Sequence, residues 1–166
     1  MPTTVQTELD SYRAAFKAEG ATSRRLLSAF PEARVDARPA PSAQPAREVA
    51  WTMVLTMMVV DPILAGELMP TGMPPAPDKW SDLLAAFDET HAATLAKLAK
   101  LDDAALSGPV KMPIGPGTIG EMRRGDALRM FLNDQIHHRG QLSVHLRMAG
   151  GKVPSIYGPS GDEAWF

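Results

Sequence analysis

Apolar positions along the chain recur at three- and four-residue spacing in four long stretches, the period of a helix buried on one face. The first passes through Val5, Leu9, Tyr12, Phe16, Leu26, Leu27 and Phe30, with Gly20 as a weak point, and stops at Pro31. From Pro31 to Pro45 four prolines and little periodicity predict an extended connection. A second helix is predicted from Pro45–Arg47 through REVAWTMVLTMMVV to Asp61-Pro62, because proline is tolerated in a first turn. It is apolar almost all round, as expected of a helix in the middle of a bundle, and Glu48, Thr52 and Thr56 form its polar stripe. Those threonines either bond back to their own helix or form a pocket wall.

A third helix follows the proline-rich stretch Pro70 to Pro77, with Asp78 or Ser81 as its N-cap and its end near Lys100. Trp80, Leu84, Phe87, Leu95 and Leu98 make its buried stripe, and His91 falls on that stripe. The histidine is expected to point inward, as a hydrogen-bonded core residue or as a ligand. Between Asp102 and Gly125 the sequence allows a single helical turn and then KMPIGPGTIGE, whose prolines and glycines predict a loop. The fourth helix is predicted from an N-cap at Asp126 to Met148, with Gly150-Gly151 and Pro154 as its stop. No strand pattern of comparable quality appears. The expectation is an all-α four-helix bundle, a single domain over residues 1–166.

Composition narrows the chemistry. The 166 residues, 45% hydrophobic and 22% charged, suit one globular core, and the absence of cysteine excludes disulfides, thiolate ligands and a cysteine nucleophile. Any thiol chemistry would need a thiol cosubstrate. The N-terminus carries two acids before its first base and no apolar run, so a cytoplasmic location is expected. Val49 to Val60, at twelve residues, falls short of the roughly 20 that span a bilayer, which argues against a membrane role. A net charge of −2 provides no field for phosphate backbones, so no nucleic-acid partner is expected.

The fourth helix carries the most informative residues. Asp134 and His138 are four apart and share a face, one turn above the other, a spacing that can grip one metal ion. His137 lies about 100° round the helix from His138, and His145 about two turns, roughly 10 Å, farther along, so both should miss that ion. His91 would complete a two-histidine, one-carboxylate set with Asp134 and His138 if the third and fourth helices converge there; the alternative is a satisfied core network. Arg139 and Gln141 read as structural polar links.

The segment IHHRGQLSVHLRMAGGKVPSIYGPSGDE resembles the closing signature of DinB-family proteins, the bundle group that includes YfiT-like metalloenzymes and is distinct from the DNA polymerase of similar name. The LLSAFPEARVDARP connection, the REVAW opening of the second helix and the IYGPS tail extend the likeness across nearly the whole chain. The resemblance implies a DinB/YfiT-like bundle whose metal site takes one histidine from helix two and two, four apart, from helix four. Here Thr52 occupies the helix-two position and Asp134 the first helix-four position, so only His138 is retained. It further implies a zinc or nickel cofactor, absent if the reduced site stays empty, and a hydrolase or a transferase acting with a low-molecular-weight thiol. The alternatives are a non-catalytic small-molecule-binding protein, with a cavity lined by Thr52, Thr56, His91, Asp134 and His138, and a stress-related dimer. A homodimer is expected in each case.

Overall fold

The computed structural model describes residues 6–69 and 72–164; Val5 and Pro70 lie outside them. α1 (Glu8–Ser28) starts where the Thr7 hydroxyl accepts from the Asp10 amide at 3.2 Å, with Glu8 and Asp10 placed favourably against the positive end of the helix dipole. Its buried stripe, Leu9, Tyr12, Phe16, Gly20, Ser23 and Leu26–Leu27, follows the helical period. A 3₁₀ turn (Glu32–Arg34) opens the connection to α2 (Ala46–Met58). Val59 breaks the run, and α3 (Val60–Ala65) continues it past Pro62, which lies in the first turn, where its missing N–H costs nothing. Together Ala46–Ala65 is long and apolar enough to cross a membrane by length and composition, yet in the structure it packs inside the bundle.

α4 (Trp80–Leu98) begins with Lys79 at its cap rather than Asp78 or Ser81, and Leu83 replaces Leu84 and Leu95 on its fully buried line. The single turn expected after Asp102 is α5 (Ala104–Ser107). The predicted loop beyond it is instead an antiparallel hairpin, β1 (Pro109–Gly115) and β2 (Thr118–Arg123), which corrects the expectation that strands are lacking. Val110 and Met112 point into the core while Lys111 points out, and Gly117, at φ 66°, supplies the left-handed residue of the turn. The outer edge of β1 is partly covered by residues 66–68: Leu68 N donates to Lys111 O, and Lys111 N donates to Gly66 O. α6 (Arg124–Met148) follows at once, so Asp126 is not its cap but lies in the first turn, paired with Arg123.

The four long helices form a ring in the order α1, α4, α2, α6, each packed on its two neighbours. α4 and α6 are therefore diagonal. The apolar cluster in the centre draws Phe16 and Leu26 from α1, Met53 and Met57 from α2, Leu83 and Phe87 from α4, and Leu128 and Leu142 from α6.

Candidate functional site

α6 turns Leu128, Leu132, Gln135, Arg139, Leu142 and Leu146 to the core, and Asp134 and His138 emerge at the margin of that stripe. Their side chains are 42% and 17% exposed, reachable from solvent without being surface groups. His138 Nε2 stands 3.5 Å from Asp134 Oδ1. On its other side, His138 Nδ1 donates to Gln141 Oε1 at 3.0 Å, and Gln141 Nε2 donates to His137 Nε2 at 2.9 Å. In this orientation one amide meets both rings, its oxygen accepting from His138 and its nitrogen donating to His137. With Gln141 accepting at Nδ1, the Nε2 lone pair of His138 faces the Asp134 carboxylate, an arrangement that can hold a cation between them.

The other predicted partners lie elsewhere. His91 packs between Phe16 and Phe87, at ring-centroid distances of 5.1 and 6.1 Å, and Nε2 donates to Phe16 O at 3.3 Å. It faces α1 because Gly20 leaves room for it, whereas α6 is across the diagonal of the ring. Among the described residues no three His, Asp or Glu side chains are grouped to hold a metal, so His91 does not join Asp134 and His138. Thr52 donates to Glu48 O at 3.0 Å and Thr56 to Met53 O at 2.8 Å, so both hydroxyls bond back to their own helix. The cavity expected from these residues with His91 is therefore not assembled. His145 contacts carbonyls at both ring nitrogens, Gln141 O and Gln44 O, each at 3.0 Å, and ties α6 to the α1–α2 connection. Beside it a cleft of about 400 Å³ is lined by Pro39, Ala43, Val49, Gln141 and Val144.

Arg139 is the largest fully buried side chain. Its Nη1 donates to Glu19 Oε2 and its Nη2 to Tyr157 Oη, both at 2.6 Å, and the Tyr157 hydroxyl donates to the same Glu19 oxygen at 2.8 Å. Burial, and then the bond to Glu19, push the Tyr157 phenol above its ordinary value. This network joins α6, α1 and the C-terminal tail, the role of a structural link. Glu19 and Tyr157 were not anticipated. The available signal was an arginine on the buried line of α6, which requires an acid.

Residues 15–142 match the family model of the DinB superfamily. The chain belongs to that superfamily. It is 46% identical over 43 residues to the uncharacterized protein YrdA of Bacillus subtilis, a segment that spans about a quarter, 26%, of that relative and of this chain. A DinB-like protein from Bacillus cereus superposes with a TM-score of 0.72 at 24% identity, over 89% of this chain and 97% of its own. YfiT from Bacillus subtilis, described as a probable metal-dependent hydrolase with an unusual four-helix bundle topology, gives 0.68 at 16% identity, over 90% and 93%. A mycothiol-dependent maleylpyruvate isomerase gives 0.56 at 15%, over 86% of this chain and 63% of its own. At these identities the solved structures show the fold alone.

Proposed function

We propose that this DinB-superfamily protein handles a small molecule at the Asp134–His138 pair, with a zinc or nickel ion bound there as an exchangeable partner and chemistry of the hydrolase or thiol-transfer class; among the structures it resembles, YfiT is described as a probable metal-dependent hydrolase and another as a mycothiol-dependent isomerase. The observation that carries the reading is the 3.5 Å separation of His138 Nε2 and Asp134 Oδ1. Two donors each about 2.1 Å from one tetrahedral ion stand about 3.4 Å apart, so the pair fits two coordination positions. Gln141 provides the hydrogen-bond acceptor that a ligating histidine needs on its other nitrogen. Two protein donors fall short of the three usual at a catalytic zinc, which is why the ion is assigned as exchangeable. When bound, such an ion lowers the pKa of a coordinated water or thiol. The chain itself orients the imidazole through Gln141 and presents the Asp134 carboxylate beside it.

A second reading, non-catalytic binding of a small molecule, is favoured by the back-bonded Thr52 and by the 400 Å³ cleft beside Gln141, a size ordinary for ligand sites. Elemental analysis separates the two. Protein purified without a histidine tag and brought to equilibrium dialysis against zinc or nickel is expected to hold metal in excess of the dialysate, which a chelator strips without loss of helical circular dichroism. Failure to take up metal while folded favours the second reading.

A further inference from the structure

One helical turn before Asp134, a second cleft opens on α6. It has a volume of about 240 Å³ and lies between the end of α2, the chain after α3, β1 and α6. Val59, Leu68, Met73, Met112, Met130 and Phe131 line it, and no charged side chain does. Met130 precedes Asp134 by four residues and Phe131 by three, so both stand beside it on the helix surface, about 6 Å along the axis at most. Met73 and Met130 remain 52% and 39% exposed at the rim. Methionines are unbranched and polarizable and adapt to a flexible apolar group rather than to one rigid shape.

We propose that this cleft binds the apolar tail, an unbranched alkyl or acyl chain, of the small molecule whose polar end is handled at Asp134 and His138. The inference rests on the function proposed above and adds the substrate class: an amphipathic molecule with a metal-seeking or hydrogen-bonding head and an uncharged tail. The dimensions are those of a short chain, and the continuity along one helix face puts tail and head in line.

The test is a series of n-alkyl hydroxamates, from acetohydroxamate to octanohydroxamate, titrated by ligand-detected NMR into zinc-free and zinc-loaded full-length protein. Affinity is expected to rise about threefold to fourfold per added methylene until the cleft is filled. The rise should appear in both forms, because the tail does not touch the metal. Met130→Glu and Met73→Glu, both at the exposed rim, should flatten it, with folding checked by circular dichroism. A wild-type series with no chain-length dependence overturns the proposal, as does a dependence that survives both variants. A change of oligomeric mass in Met130→Glu, measured by light scattering, would make the cleft an interface between copies and also overturn it. If zinc never alters the affinity while the chain-length dependence persists and the variants abolish it, the metal reading fails and the apolar site stands.

Discussion

His91 occupies the space that a side chain at residue 20 would need: a Cβ built on Gly20 would lie 2.1 Å from His91 Nε2. The apparent weak point of α1 is thus where a side chain of α4 packs against its backbone. Alanine at residue 20 gains up to about 1 kcal/mol of helix propensity, but it drives the imidazole off Phe16 O and out of its stack. Gly20→Ala is therefore expected to cost about 1–3 kcal/mol net, the range for overpacked cores, in urea denaturation. Adding His91→Ala should return part of that loss. Zinc binding should be the same in His91→Ala as in the wild type, since the ring faces α1.

Arg139 and Glu19 form the most deeply buried ion pair described, with side chains 2% and 15% exposed. Truncating the cation leaves the carboxylate uncompensated, so Arg139→Met is expected to cost about 3 kcal/mol or more by equilibrium denaturation. Tyr157→Phe removes only the hydroxyl link to the tail and should cost about 1 kcal/mol. A loss in Arg139→Met no larger than in Tyr157→Phe would contradict the assignment of Arg139 as the centre of the network.

The C-terminal tail is held by Asp162, which accepts from Val153 N at 3.1 Å and Arg147 Nε at 2.9 Å. Those bonds, the backbone one first, lower its carboxyl pKa. Because the folded value is depressed, the contribution is full above the ordinary carboxylate value of about 3.9 and is lost as pH falls through the lowered folded value. Hydrogen exchange at the Val153 amide should accelerate as pH drops below that point, relative to intrinsic exchange. Asp162→Asn should show the same loosening at neutral pH.

Thr52 sits on α2, which packs directly on α6, at the position where the resemblance to DinB-family proteins implies a histidine. Thr52→His should supply a third donor and raise zinc affinity at least about tenfold, one 1.4 kcal/mol step, measured by competition with a chromophoric chelator. An affinity unchanged by this substitution would mean that residue 52 does not face the Asp134–His138 pair.

The four long helices were legible because their apolar positions keep a helical period over many turns. The hairpin was not, because Pro113, Gly115, Pro116 and Gly117 read as loop, while the alternation that marks a half-buried strand survives only at Val110 and Met112. Helix starts were misplaced by one to three residues, since Lys79 and Arg123 cap α4 and α6 without a side-chain bond. For the site, the i, i+4 spacing of Asp134 and His138 was sufficient to bring them together. The place of His91 was not readable, because spacing along α4 gives the buried face but not which neighbour that face meets. The room left by Gly20 and the diagonal placement of α4 and α6 decide it.

The most direct test of the proposed site is calorimetric titration of zinc into untagged, metal-free protein, with His138→Ala as the comparison. The account predicts one saturable zinc per chain in the wild type, with protons released on binding, as metal–proton linkage requires. It predicts no saturable binding in His138→Ala, with the helical circular dichroism unchanged. Identical isotherms for the two proteins, or no saturable zinc in the folded wild type, would contradict it.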